Sequence, residues 1–415
     1  MNDKLILNIS AVINGGAGNY ALQNHRLLLK LGYNSYLIIK TNTGKVIDHV
    51  ITYPDLKWKR VIPKIQRMIC KKILKAFRFD EKYLFYNKIE RINCYSASTI
   101  LKLLPRKPDV IFIYWVSGFV NAKLLSDLSK LTKAKIYVLL IDNAPLTGGC
   151  HYPWDCKGYQ EECLSCPAIY NKFLKKLANR NLQFKKKNNP KDITLIAATQ
   201  SDFYRTKSSS LFKDTECIKI TEVVDNELFK PSDNKKDLKK YFGIDENKKV
   251  LLIGATFLNE RRKGMAELIQ ALQFVNNNEI FILVAGTTDL GTIEIDHKYI
   301  GYLSEDELIK AYQAAHLFVC PSLEDSGPLM INQAIMCGTP VVAFNMGSAT
   351  DLVRTGETGY LARHKDTADL AKGINYIISL NELEYAKMSE NCRSLAMKLF
   401  STPVFNEQIE KLLNF

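Results

Sequence analysis

Short, mainly apolar runs alternate with longer stretches of mixed polarity along most of the chain. Leu5 to Val12, Tyr36 to Ile39, Val110 to Tyr114 and Ile136 to Ile141 punctuate the first half. Val250 to Gly254, Ile280 to Ala285, Leu317 to Cys320 and Pro340 to Phe344 punctuate the second. Runs of this length without alternation mark strands buried on both faces, as in parallel sheets. Between them apolar residues recur at helical spacing, as with Leu22, His25/Arg26 and Leu29 in Ala21 to Leu31. Repeated strand–helix units predict parallel sheets covered by helices. The Gly15-Gly16-Ala17-Gly18 run between the first strand and helix reads as a loop, without the GxGxxG spacing of a dinucleotide site.

Leu317 to Phe344 is the most informative segment. The run Leu317-Phe318-Val319-Cys320 predicts a strand, and Glu324-Asp325-Ser326-Gly327-Pro328 a loop entering a helix with Pro328 in its first turn. Met330, Ala334 and Cys337 keep helical spacing, Gly338 stops the helix, and Thr339 to Phe344 is the next strand. A polar loop feeding a helix N-terminus after a parallel strand suits an anion, because unspent N–H groups and the helix dipole face it.

This segment resembles the donor-site signature of the retaining GT-B glycosyltransferases of family 4, as found in colanic-acid and capsule-type polysaccharide synthesis. Pro321, Ser322, Gly338, Pro340, Val341 and Val342 keep its frame. Its paired acidic positions fall on Asp325 and Gln333. The resemblance implies that Asp325 holds donor-sugar hydroxyls and that Gln333 holds the ribose, for which an amide has both donor and acceptor. It implies a donor site completed by Gly16, Gly18, Tyr302, Ser326, Gly327 and Leu329. In Gly254 to Gly264, GATFLNERRKG, Lys263 matches the family's lysine. The usual arginine position is Ala255, so Arg262 or Arg261 is expected to supply that charge. Two cations would stabilise the departing diphosphate. Gly301-Tyr302-Leu303-Ser304 matches the loop that houses the nucleobase, Asp225 to Pro231 the interdomain element, and Gly356 to Gly359 a downstream scaffold turn. The fold implied is α/β, GT-B, with two Rossmann-like domains whose parallel sheets face across a cleft. The activity implied is transfer of a hexose from a UDP- or GDP-sugar to a glycan or lipid-linked acceptor. A nucleotide-sugar epimerase and a non-catalytic protein of the same fold are the alternatives. No Asp-x-Asp occurs, so no catalytic divalent metal is expected.

The 415 residues suit two domains. The expected division is 1–200 for the acceptor domain, 201–395 for the donor domain, and 396–415 for a helix packing back on the first. The linker is expected near Lys185–Asp192 or Ser201–Pro231. Residues 1–200 hold 33 Lys and Arg against 13 Asp and Glu, a net of +20, whereas the rest carries −6. Such asymmetry points to different partners for the halves. No nucleic-acid motif accompanies the basic half, which favours an anionic acceptor or membrane surface. Within it, Trp58 to Phe77 sets Trp58, Ile62, Ile65, Ile69, Ile73 and Ala76 on one face and seven basic residues between them. That pattern suits a helix lying on anionic lipid, or one packed on its own domain. No apolar run approaches the ~18–20 residues of a membrane span, and Leu5 to Val12 reads as a strand rather than a signal peptide. A cytoplasmic protein, peripheral on the inner membrane face, is the expectation.

Ten cysteines are present, four of them in one insert at 147–167: Cys150, Cys156, Cys163 and Cys166, spaced C-x5-C-x6-C-x2-C. A reducing compartment argues against disulfides, and four thiolates suit a tetrahedral structural Zn²⁺. His151 is a substitute ligand, and an iron–sulfur cluster, free thiols or a redox pair are the other readings. The insert resembles the Thr-Gly-Gly-Cys-His-Tyr element of capsule-type enzymes. Their preceding His-Asp is Ile141-Asp142 here, so a role for that histidine is absent.

Overall fold

The computed structural model describes residues 3–41, 44, 46–54, 65, 68–70, 72, 78–276, 279–287 and 293–414. The chain divides into two compact units, Met1–Ile220 and Thr221–Phe415.

The first unit is built on a seven-stranded sheet. Its strands are β1 (Leu5–Ser10), β2 (Asn34–Ile39), β3 (Val50–Thr52), β4 (Val110–Ile113), β5 (Lys135–Leu139), β6 (Ile193–Ala197) and β7 (Cys217–Lys219), ordered β3-β2-β1-β4-β5-β6-β7. Every pairing is parallel. The second unit repeats the plan with six parallel strands: β8 (Lys249–Gly254), β9 (Ile280–Ala285), β10 (His297–Gly301), β11 (Leu317–Cys320), β12 (Val341–Phe344) and β13 (Gly359–Ala362), ordered β10-β9-β8-β11-β12-β13. The central strands β1, β4, β11 and β12 are buried throughout, β4, β11 and β12 as unbroken apolar runs and β1 with Asn8 and Ser10 among its apolar residues. In each sheet the chain runs outward from a central strand, returns, and continues on the other side. The switch points lie between β1 and β4 and between β8 and β11, where open α/β sheets bind ligands at the strands' carboxyl ends.

Three expectations change. The Gly15–Gly18 run is not a loop: the helix begins at Gly15 and runs to Lys30. Glycine's low propensity is overridden by packing, since a Cβ on Gly18 would stand 2.6 Å from the Ile13 carbonyl carbon. Lys185–Asp192 is not a linker. It closes helix Lys176–Asn188 and leads into β6, with buried Lys185 donating from Nζ to Ala144 O (2.6 Å) and Thr147 O (2.9 Å). The unit boundary falls instead within Ser201–Pro231, after β7, which extends the first sheet beyond residue 200. Pro328 stands at the N-cap of helix Leu329–Met336 rather than inside its first turn.

Beyond the boundary, Asp225 to Pro231 is tied into the second unit by Arg393, which donates to Phe229 O (2.7 Å), Asn226 O (2.9 Å) and Met336 O (2.9 Å). Helix Thr402–Leu413 packs against helix Glu382–Phe400. The expected lipid-facing helix Trp58 to Phe77 lies mostly outside the described residues; of those described, Ile65, Met68 and Ile69 are exposed. Among the described residues no helix is long and apolar enough to cross a membrane.

Candidate functional site

At the switch point of the second sheet, the loops leaving β8 and β11 lie side by side because the strands are neighbours. The β8 loop ends in a 3-10 turn, Arg261–Lys263, closed by Gly264 at φ +67°. A Cβ on Gly264 would overlap the Pro321 carbonyl oxygen, so only glycine lets the two loops abut. Leu323 N–H then donates to Arg262 O at 2.7 Å. Loops after β12 and β13 join from the other side. A Cβ on Gly347 would stand 3.2 Å from Asp325 O, and His364 Nε2 is 3.0 Å from Leu323 O.

This arrangement gathers three of the expected catalytic residues into one charged cluster. Asp325 Oδ2 accepts from Arg262 Nη1 at 2.6 Å and from Lys263 Nζ at 2.7 Å, and Asp325 Oδ1 accepts from Ser326 N–H at 3.1 Å. Arg262 Nη2 also pairs with Glu260 Oε2 at 2.7 Å. The side chains of Asp325, Arg262 and Lys263 are only 9%, 14% and 16% exposed. Burial alone would raise the Asp325 carboxyl, but Lys263, Arg262 and the Ser326 N–H outweigh it and hold the group below its ordinary range. Between the two candidate arginines the geometry chooses Arg262. Arg261 turns away to a bidentate pair with Glu267 (2.8 and 2.6 Å) and is half exposed.

Helix Leu329–Met336 follows Ser326, Gly327 and its N-cap Pro328; Ile331 N–H returns to Pro328 O at 2.9 Å, and the N–H groups of Leu329 and Met330 precede the first intrahelical acceptor. Its far end closes in a Schellman turn on Gly338 (φ +71°), with Gly338 N–H on Ile335 O (3.0 Å) and Thr339 N–H on Ala334 O (2.9 Å). Gln333 sits one turn into this helix, buried, and its Oε1 accepts from Tyr312 O–H at 3.1 Å. The amide nitrogen is left as the group that can donate to a hydroxyl. Tyr302 follows the edge strand β10, two strands from β8, and is 53% exposed. In the first unit, Gly16 and Gly18 occupy the first helical turn after β1. A Cβ on Gly16 would meet nothing within 4 Å, whereas Gly18 is needed for the close approach to Ile13.

Sequence reasoning missed a second polar arrangement, in the first unit. His151 Nδ1 lies 2.6 Å from Asp142 Oδ2, both buried, and His151 Nε2 lies 3.0 Å from Ser117 Oγ. Ser117 donates to Asn87 Oδ1 at 2.8 Å, and Ala144 N–H holds Asp142 Oδ1 at 2.7 Å. Asp142 and Ser117 open on a cavity of about 80 Å³ walled by Tyr114, Trp115, Ile141 and Pro145. Thr147-Gly148-Gly149 reverses the chain and brings Asp142 and His151 together, and that turn was the available signal. A histidine nine residues after Asp142 thus pairs with it, although none directly precedes it in the chain. His151 is thereby committed and does not serve as the substitute metal ligand. Cys150, Cys156, Cys163 and Cys166 line one small cavity, where burial raises the thiols of Cys163 to about 11 and Cys166 to about 12. Among the described residues no three His, Cys, Asp or Glu side chains already stand in metal-ligating geometry.

Residues 234–395 match the family model described as glycosyl transferases group 1. That match lies within the second unit. The chain is 23% identical over 230 residues to the N-acetyl-alpha-D-glucosaminyl L-malate synthase of Bacillus anthracis, covering 51% of this chain and 59% of that one. It is 39% identical over 74 residues to the D-inositol 3-phosphate glycosyltransferase of Rhodococcus jostii, covering 18% and 16%. The chain therefore spans less than two thirds of the length of these curated relatives. Among solved structures, HepE of Anabaena in complex with UDP and glucose superposes with a TM-score of 0.66 at 16% identity over 99% of both chains. Sucrose-phosphate synthase of Thermosynechococcus elongatus gives 0.64 at 17% identity over 99% and 98%. At these identities the likeness establishes the fold, two Rossmann-like parallel-sheet units of the GT-B type.

Proposed function

We propose that the chain is a retaining glycosyltransferase that moves a hexose from a UDP- or GDP-sugar to a glycan or lipid-linked acceptor in bacterial surface polysaccharide synthesis. The observation that carries this reading is the buried Asp325–Arg262–Lys263 cluster at the β8/β11 switch point. Two cations held on one carboxylate oxygen beside a helix N-terminus form a site primed for an incoming dianion. A donor diphosphate replaces the carboxylate as their partner. Asp325 is then released to accept hydroxyls of the sugar, while Arg262 and Lys263 stabilise the charge that builds on the leaving phosphate. Gln333, pinned through Oε1 by Tyr312, presents its amide N–H₂ to the ribose. The departing phosphate takes the acceptor's proton, so no protein base is assigned. The basic first half meets a lipid-linked, anionic acceptor at the inner membrane face.

The group 1 match and the named glycosyltransferases among the relatives support the reaction class, and the neighbour solved with UDP and glucose supports a nucleotide-sugar donor. The test is a panel of nucleotide sugars offered to the full chain with lipid-linked and glycan acceptors, read by mass spectrometry and by the anomeric configuration of the product. Transfer with retention, lost in Lys263→Ala, is the expected result. Absence of saturable binding for any nucleoside diphosphate up to about 1 mM would refute the reading.

A further inference from the structure

Between the end of β5 and helix Lys176–Asn188 the chain forms only three short 3-10 turns, Ala144–Leu146, Gly158–Gln160 and Lys172–Leu174. A segment of this length with so little regular structure needs another source of order. Its four cysteines take no part in sugar transfer as described above. The geometry points to a closed structural Zn²⁺ site formed by Cys150, Cys156, Cys163 and Cys166, which fixes the loop that presents His151 to Asp142 and Ser117.

The first support is convergence. All four cysteines line a single cavity of about 20 Å³, room for one small ion or water. Its remaining walls include Tyr83, Phe85, Pro153 and Tyr159, and no charged side chain lines it. A Cβ on Gly158 would stand 3.4 Å from Cys156 Sγ and 3.9 Å from Cys163 Sγ, so these two sulfurs flank one spot.

The second support is the donor shell. Gly158 N–H donates to Cys156 Sγ at 3.4 Å. The Gly148 N–H faces Cys163 Sγ, and the Ala168 and Ile169 N–H groups face Cys166 Sγ. The Thr147 side chain stands beside Cys150 Sγ. Donors of this kind stabilise a thiolate and orient it, the role of outer-shell groups around metal-bound cysteines. Cys163 is also held at φ +53°, a left-handed conformation costly for a side chain with a Cβ. Cys163 N–H bonds back to Gly158 O at 2.8 Å, which aims the Cys163-x2-Cys166 half at the cavity.

Four sulfur ligands select a tetrahedral, borderline-soft ion, and Zn²⁺ fits that set with no open position. The ion would join the loop at Cys150 to the turn at Cys163–Cys166. That turn is already stitched to the preceding segment by the Phe79–Ile169 bridge and by Asp80 N–H on Ala168 O (2.9 Å). Because His151 follows Cys150 directly, the ion also sets where the imidazole stands.

The test uses the full chain purified under reducing conditions without chelator. Elemental analysis should find close to one zinc per chain. Co²⁺ exchanged into the site should give tetrahedral ligand-field bands with sulfur-to-metal charge transfer. Thiol titration of the native protein should gain four reactive cysteines when a chelating dye releases the metal. The Cys163→Ser/Cys166→Ser variant should lose the metal; if it fails to fold, cobalt exchange and thiol titration of the unaltered chain decide. Less than about half an ion per chain with four reactive thiols, disulfides among the four by mass, octahedral cobalt spectra, or zinc retained after all four are changed to serine would each overturn the proposal.

Discussion

Asp325→Asn tests the cluster most directly. The substitution keeps shape and one acceptor but removes the charge that balances Arg262 and Lys263, both less than a fifth exposed. Breaking a buried ion pair from one side costs about 3–5 kcal/mol, because the remaining cations are stranded in a poor solvent. The affected unit, Thr221–Phe415, is in the size range where 1 kcal/mol moves the midpoint by roughly 2–4 °C. Its melting transition should therefore fall by roughly 6–20 °C. UDP should reverse more of that loss than it adds to the unaltered protein, because its phosphates replace the missing carboxylate instead of displacing it. At about 100 times its dissociation constant the ligand supplies roughly 2.7 kcal/mol. The pH dependence has a defined sign. Asp325 is held below its ordinary value of 3.8, so its contribution is present above that value and lost as pH falls through the lower folded one. The gap between the two proteins should stay flat from pH 8 to about 5 and narrow only below about 4. The assay is calorimetry of both proteins with and without UDP, followed by turnover, which should be abolished in the variant. A midpoint within about 2 °C of the unaltered protein, with an equal UDP shift, would refute the coupling of carboxylate and cations.

Gly264→Ala should cost at least about 1–3 kcal/mol, since it strains a +67° φ and drives the new Cβ into Pro321 O; urea titration reads it. Gln333→Ala should cost about 1–3 kcal/mol by stranding the buried Tyr312 hydroxyl, whereas Gln333→Glu should keep the fold, which paired thermal melts distinguish. Burial and then nearby Lys239 lower Lys235 to about 7 from an ordinary 10.5. The unfolded chain thus holds more protons between those values, and stability should rise with pH across that window. Lys235→Met should remove that share of the rise in melts taken from pH 7 to about 10.

How much the sequence disclosed follows from where each strand lies. The eight strands legible as apolar runs all lie inside the two sheets. Four of the five strands not foreseen, β3, β7, β10 and β13, are the edges of the two sheets. They pair on one side only and their patterns are mixed, as in His297–Gly301. The fifth, β6, is buried, but Thr194 interrupts its apolar run. Gly15–Gly18 misled because propensity treats four weak helix formers as a loop, while close packing on Ile13 decides otherwise.

The site itself was legible as parts and not as an arrangement. Asp325, Arg262 and Lys263 were each named from motifs some sixty residues apart, with Asp325 assigned to the sugar and the cations to the diphosphate. Nothing in the spacing says that these groups pair with one another. That follows from topology: β8 and β11 are neighbours across the switch point, so the loops at their carboxyl ends must touch, and Gly264 lets them touch closely. The pairing in turn changes the chemistry expected of each residue. On the proposed function, diphosphate binding would be an exchange of one anion for another on the same cations, and Asp325 would become available to the sugar only once that exchange had occurred. Donor recognition and readiness of Asp325 are then one event, which favours turnover of a complete nucleotide sugar over capture of a free hexose.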